Sequence, residues 1–397
     1  MNTPMEPNSP NASHSRVRPN NTSPLASIIV AAYNVEAYIG QCVESLVNQS
    51  LQDIEIIAID DASTDGTFAI LAHFAREHAN VRLIRHSRNR GLSAVRNTGM
   101  ESARGKYFAF LDGDDLAACD MLAALTNMAE SASADIVVAD FQTFDNQTIC
   151  FDPGSACADA GRLDAESRAE ALDPAKEPQL FDMHCSAGKK LYLRSFVERA
   201  ELKFQEGHIY EDIYFHFAVM LSARRVALLD RTVFYYRINR PGQITEMADE
   251  RVLHLFTSFD ANEDLLAKRG ASEDAWWYLL SKEVAVANWV RERTSPAVRR
   301  VFIDAAAAHF AKLSPEAWTI FRHRASVTEM ARFLGLRKGR DTGPAFGHPP
   351  FDLRARAAIA KYGLRILPKL ARKVTERMKR ATKNVGGRIA ANFTMLP

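Results

Sequence analysis

Residues Lys106–Asp115 read KYFAFLDGDD. The run Tyr107–Leu111 is apolar and rich in aromatic side chains, the signature of a short buried strand. It stops at Asp112-Gly113-Asp114-Asp115. Three carboxylates cannot continue into a buried layer without counter-charge, because an unpaired buried carboxylate costs several kcal/mol or more. At the carboxyl end of a central strand they stand where open α/β sheets hold ligands. Hard oxygen donors on a turn suit Mg²⁺ or Mn²⁺, with a phosphate completing the shell. The plainer reading is a solvated acidic turn, since Asp and Gly are common in turns.

The stretches on the amino side weigh against that plainer reading. Ser27–Ala32 (SIIVAA) is an apolar strand that stops at Tyr33-Asn34, and Val35–Gln49 carries Ile39, Val43, Leu46 and Val47 at helical spacing. Ile54–Ile59 is a second strand, stopped by Asp60-Asp61. A helix with Phe68, Leu71, Ala72 and Phe74 on one face follows, then a strand at Val81–Arg85. Strand and helix in alternation imply a parallel sheet with right-handed crossovers. Unbroken apolar strands fit a sheet covered on both faces. Asn89–Asn97 (NRGLSAVRN) opens a helix to Ala103, and Gly105 ends it before the central strand. Asp120–Ser131 reads as helix and Asp135–Phe141 as strand. Three strand ends thus bring polar, mostly acidic turns to one sheet edge.

On the carboxyl side, Asp145–Glu177 has weak periodicity, and Leu180–Val197, with Lys189, Lys190 and Arg194, reads as a docking segment. Glu206–Met220 places Glu211-Asp212 at the start of an aromatic helix, where the backbone dipole favours carboxylates. Val226–Leu229 and Val233–Arg237 read as two short strands, and Asn239–Thr245 as a loop. From Asp249 to about Leu336 only helical patterns remain. Trp276, Trp277, Trp289 and Trp318 sit among Leu and Val at helical spacing, which reads as core. Arg337–Pro350 is a Gly/Pro linker. Arg354–Arg388 holds 12 Lys/Arg against one acidic residue, Glu376, with apolar residues every three or four positions. That is a basic amphipathic helix suited to an anionic membrane surface. The rival reading packs it on the protein with a solvated basic face.

Bulk composition narrows the class. The chain has 397 residues, 47% hydrophobic and 25% charged, with a net charge of +2. No global basic field points to nucleic acid. Cys42, Cys119, Cys150, Cys157 and Cys185 are scattered and odd in number, which argues for free thiols in a reducing compartment and against a zinc site. The first residues, rich in Asn, Ser and Pro, lack the apolar stretch of a signal peptide.

Taken together, the motifs from SIIVAAYN through IEIIAIDDASTDGT and RNRGLSAVRNTGMESARGKYFAFLDGDD resemble family 2 glycosyltransferases of the bacterial polysaccharide-assembly type. The resemblance is strong over Leu25–Phe144 and continues loosely through GKKLYLRS and IYEDIYF to YYRINRPGQIT. It implies the GT-A fold: a Rossmann-like, mixed but mainly parallel sheet flanked by helices, here followed by a C-terminal helical region. The expected organisation is a disordered tail (1–24) and a catalytic domain (25–248) with donor half 25–144 and acceptor half 180–248. A helical region (249–336), a linker (337–350) and a basic segment (351–397) follow.

The resemblance also implies roles. Asp61 matches the position that hydrogen-bonds the donor base, and Ala31 and Tyr33 match the floor of the nucleotide site. Gly91, Arg96 and Asn97 match a loop beside the donor phosphates or sugar. Asp112 and Asp114 match the DxD pair, with Asp114 the metal ligand and Asp112 nearer the ribose or a metal-bound water. Glu211-Asp212 matches the acidic pair that supplies the general base, Asp212 taking the acceptor proton. Lys190 matches a lysine of the family's K-L-Y segment, and Arg237 lies where basic residues face the acceptor or diphosphate. Some members use a downstream histidine on the metal; RINRPGQIT has none, and His208 and His216 are unsupported substitutes.

The expected activity is therefore an inverting hexosyl transfer from a nucleotide-diphospho-sugar to a saccharide acceptor, lipid-linked, in cell-surface polysaccharide synthesis. The expected cofactor is Mg²⁺ or Mn²⁺. The expected place is cytoplasmic, peripheral at the inner face of the plasma membrane, with no nucleic-acid partner. The alternatives are a nucleotidyltransferase, disfavoured because Tyr33–Glu36 stands where a Gly-rich, cationic loop is usual, and a non-catalytic nucleotide-sugar-binding module.

Overall fold

The apolar run before Tyr33 forms β1 (Ala26–Ala32), buried along nearly its whole length. The computed structural model describes residues 23–148, 170–243 and 249–339. It divides the chain into two compact units, one ending at Leu279 and the other beginning at Leu280. The expectations for residues 1–22, for most of 145–177, and for the linker and basic segment beyond residue 339 lie outside the described residues.

In the first unit, β1 pairs in parallel with β2 (Ile54–Asp60) and with β4 (Tyr107–Asp112), and β3 (Val81–Arg85) pairs in parallel with β2. The full order is β3-β2-β1-β4-β7-β6-β8-β5, where β5 is Leu116–Ala117, β6 Ile136–Asp145, β7 Lys190–Leu193 and β8 Val226–Ile238. Two layers cover this sheet. Alternate residues of the central strands, such as Ile28, Val30, Ala109 and Leu111, share a core with α1 (Glu36–Val47), α2 (Thr67–Glu77) and α4 (Met121–Ala132). The other face meets α3 (Leu92–Ser102), α5 (Arg194–Arg199) and α6 (Glu211–Ser222). There Phe108, Phe110, Tyr192, Phe204 and Phe215 form a contiguous aromatic cluster, Phe204 stacking on Phe215 at 3.9 Å. Burial on both faces is why the parallel strands carry no polar alternation.

Two readings need correction. The segment Leu180–Val197, read as a docking segment, contains a strand of the sheet: β7 is antiparallel to both β4 and β6. The two short strands expected near residue 230 are one, β8, pairing in parallel with β6. The polar Asp230-Arg231 between them is exposed, and the register with β6 shifts across Val138–Asp140. The pair marks an irregularity in a strand, not its end.

The first unit closes with α7 (His254–Arg269), and the boundary between units falls inside α8 (Glu273–Arg293). The second unit continues through α9 (Pro296–Ala311), α10 (Pro315–Arg324) and α11 (Val327–Arg337). Ser314 caps α10, and Ser326 with Glu329 forms a capping box on α11. Buried Phe302, Phe310, Phe321 and Phe333 make its core, and Trp318 stacks on Phe333 at 5.2 Å. Trp289 departs from the core reading: it is 38% exposed, with Arg293 over its ring. No helix among the described residues is long and apolar enough to cross a membrane. Cys42, Cys119 and Cys185 are free thiols, as expected.

Candidate active site

The register of the parallel strands assembles the site. Ala31 of β1 lies opposite Asp112 of β4, and Ala32 opposite Asp60 of β2. The Gly113 amide donates to the Ala31 carbonyl at 2.8 Å, and the Asp61 amide to the Ala32 carbonyl at 2.9 Å. The ends of three strands therefore meet at one sheet edge, as their polar, mostly acidic stops suggested.

The turn after β4 buries its carboxylates progressively. The Asp112 side chain is 36% exposed and that of Asp114 9%; Asp115 is 2% exposed. Three arginines answer them. Arg237 of β8 donates its amide to Asp115 Oδ1 (2.9 Å) and its Nε to the Asp114 carbonyl (2.7 Å). Asn146 and Gln41 hold its two terminal nitrogens, and its guanidinium lies over the rings of Tyr38 and Phe144. Arg240 pairs with the Asp114 carboxylate. Burial raises the Asp114 carboxyl above its ordinary range, with the Arg240 charge opposing. Burial pushes Asp115 up further, helped by the charges of Asp114 and Asp112.

Arg96 of α3 is the third. It is buried among aromatic rings, 5.3 Å above Phe204. Its Nη2 meets Asp112 Oδ1 at 3.2 Å and its Nη1 meets Glu211 Oε1 at 2.6 Å. One guanidinium thus joins the turn after β4 to the first residue of α6. Burial raises the Glu211 carboxyl to about 7, the Arg96 charge opposing and the Asp212 charge adding. Asp212 is half-buried and has no hydrogen-bond or ion-pair partner among the described residues. Tyr210, which precedes the pair, adopts a left-handed backbone (φ 69°) with its carbonyl bonded by Ser258 of α7.

On the β2 side, the Asp61 carboxylate is fully engaged. It meets His86 Nδ1 at 2.6 Å and accepts the amides of Arg90 (2.9 Å) and Gly91 (2.7 Å). His86 continues through Nε2 to Thr98 Oγ1 at 3.0 Å. Asp61 thereby shapes the turn that starts α3, where Gly91 takes φ 87°, a conformation open to glycine. Tyr33, 46% exposed, follows β1 at the same edge, with Ala31 half-buried before it.

Two other expected residues are occupied elsewhere. The Asn97 amide clamps the backbone of Phe204 in both directions. The buried Lys190 ammonium donates to the carbonyls of His184, Cys185 and Ser186. His216 holds the Phe181 carbonyl, and His208 lies edge-on to His254, so each has a neighbour away from the acidic turn. Sequence reading missed Arg240, although its spacing three residues after Arg237 was a usable signal.

The donor set fits a divalent cation. Asp112 and Asp114 offer hard oxygens, and three carboxylates stand within four residues of one turn, Asp114 and Asp115 raised first by burial and then by their neighbours' charges.

The family model for Glycosyl transferase family 2 matches residues 27–198. The chain is similar to an uncharacterized glycosyltransferase, EpsJ, of Bacillus subtilis: 38% identity over 56% of this chain and 64% of EpsJ, so a little under two thirds of that relative is spanned. It is 30% identical to the succinoglycan biosynthesis protein ExoO of Rhizobium meliloti, over 62% of this chain and 69% of ExoO. Among solved structures, S. aureus TarS 1–349 in complex with UDP-GlcNAc superposes with a TM-score of 0.61 over 79% of this chain and 87% of TarS. At 17% identity that is a likeness of fold, and it agrees with the expected GT-A architecture.

Proposed function

The chain belongs to glycosyl transferase family 2, and from that premise we propose that it is an inverting glycosyltransferase. It takes a sugar from a nucleotide-diphospho-sugar to a hydroxyl of a saccharide acceptor in cell-surface polysaccharide synthesis. The observation that carries this is the Arg96 bridge, which joins the donor-side Asp112 to the acceptor-side Glu211, the residue before Asp212, through one buried cation. Inverting transfer needs leaving-group stabilisation on one side of the sugar and a base on the other.

Each residue then has a task. Asp61 holds the Arg90–Gly91 turn against the base-binding edge, and Tyr33 supplies an exposed ring there. Asp112 and Asp114 would hold Mg²⁺ or Mn²⁺, which when bound supplies Lewis-acid neutralisation of the leaving diphosphate. Arg96 orients Asp112 while pinning Glu211. Glu211, committed to Arg96, leaves Asp212 as the carboxylate able to accept the acceptor hydroxyl proton. Asn97 and Lys190 act through the loops they clamp. Arg237 anchors the acidic turn.

A lipid-linked acceptor at the inner membrane face is the favoured setting. ExoO is named for succinoglycan biosynthesis, and Arg354–Arg388 carries the basic amphipathic pattern of a membrane-surface segment. The experiment is donor binding and hydrolysis across a panel of nucleotide sugars with Mn²⁺, Mg²⁺ or EDTA. The expected result is slow, EDTA-sensitive release of a nucleoside diphosphate from one donor. Folded protein that binds no member of the panel overturns the proposal.

A further inference from the structure

We infer that Arg240 is a built-in stand-in for the cation: in the donor-free protein it neutralises Asp114, and donor binding releases it to the diphosphate. This rests on the transferase reading above and concerns a residue that reading does not use.

The three arginines around the acidic turn are not equally fixed. Arg96 has a second carboxylate, Glu211, and sits against aromatic rings. Arg237 belongs to β8 and donates to Asn146, Gln41 and the Asp114 carbonyl at once. Arg240 lies beyond the last residue of β8, Ile238, and its one other hydrogen bond among the described residues goes to the adjacent Pro241 carbonyl at 3.2 Å. It is flanked by two residues with left-handed backbone, Asn239 (φ 58°) and Gly242 (φ 75°), so it rides on a turn and not on a strand. Its guanidinium also lies 5.7 Å over the Tyr38 ring, which Arg237 covers more closely at 4.8 Å, so of the three cations Arg240 is the one whose departure breaks least.

Its partner is the carboxylate a metal needs. Asp114 is nearly sealed from water and Arg240 covers it. A divalent ion and a guanidinium on the same buried carboxylate would repel each other where screening is weak. A metal alone must therefore displace Arg240 and leave its charge without a partner. A nucleoside diphosphate arriving with the metal provides that partner, because phosphate oxygens match the planar guanidinium fork. Cation and diphosphate should then bind with positive coupling, through exchange of one arginine between two anions.

The test measures binding, not turnover. Mn²⁺ affinity of the full chain is read by electron paramagnetic resonance, alone and with UDP or GDP, for wild type, Arg240→Gln and Arg240→Lys. Removing the competitor should tighten binding of Mn²⁺ alone by roughly tenfold. The same Arg240→Gln change should weaken the nucleoside diphosphate in the presence of Mn²⁺ by roughly tenfold or more. Arg240→Lys, which keeps the charge, should leave Mn²⁺ alone near wild type. An Arg240→Gln protein whose affinity for Mn²⁺ alone is unchanged or weaker overturns the inference. Wild-type protein that binds neither Mn²⁺ nor either diphosphate defeats the transferase reading instead, so the two failures are distinct.

Discussion

Glu211 sits in a low-dielectric pocket between an arginine and another carboxylate, and this has a cost that depends on pH. Its carboxyl is raised to about 7 from the ordinary 4.5. Between those values the folded protein holds a proton that the unfolded chain has released, so stability falls as pH rises through that window. Relative to Glu211→Gln, wild type should lose roughly 3 kcal/mol between about pH 4 and about pH 8. Urea unfolding at both ends checks this; identical pH dependence of the two proteins would refute it. Asp114→Asn should separate stability from activity. It relieves repulsion among three carboxylates but takes the partner from Arg240, two effects of opposite sign, so the melting temperature should change little, while transfer falls by roughly two orders of magnitude or more. Near-normal transfer would remove Asp114 from the metal assignment. The carboxylates of the site were legible because each stands next to a strand or helix end in its own motif. Arg240 was overlooked although Arg237, picked out from sequence, lies just as far from the acidic turn; only the fold shows that it is Arg240 whose guanidinium reaches the Asp114 carboxylate.

Among the elements, α3 is the one whose placement decides the site, since it carries both Arg96 and the turn that Asp61 holds. It lies so close to β1 that a Cβ on Gly99 would come within 2.2 Å of Ile29 Cγ2. Gly99→Ala must displace the Ile29 side chain or lift α3 from the sheet, and the expected loss is about 1–3 kcal/mol, seen as a lower melting temperature. Combined with Ile29→Ala, which vacates the space, the loss should be smaller than the sum of the single changes; strict additivity would argue against the contact. The parallel half of the sheet was readable to within a residue or two because its strands are continuously apolar. β7 escaped because it is four residues long and opens with a lysine, which the fold buries by giving its ammonium three carbonyls. β8 was split in two because its exposed Asp230-Arg231 looks like a turn from sequence alone.

At the scale of the whole chain, every residue assigned to the site lies before the division at Leu279/Leu280. The basic stretch from Arg354 is thus remote in sequence from the chemistry. A chain ended after Arg340 should keep nucleotide-sugar hydrolysis and lose binding to anionic vesicles in a sedimentation assay; retained binding would move the anchor elsewhere. The pairing of Arg237 with Asp115 has a consequence of another kind. The two residues are 122 positions apart, and a ribosome adding about 5–20 residues per second needs roughly 6–24 s to make that span. During this interval the acidic turn after β4 and Arg96 have been made, while Arg237 of β8 and Arg240 beyond it do not yet exist. The hydrogen bonds that tie that turn to β8 can form only once this last strand of the sheet has been made. Synthesis thus sets the order of assembly: the acidic turn is finished by a residue encoded more than a hundred codons downstream.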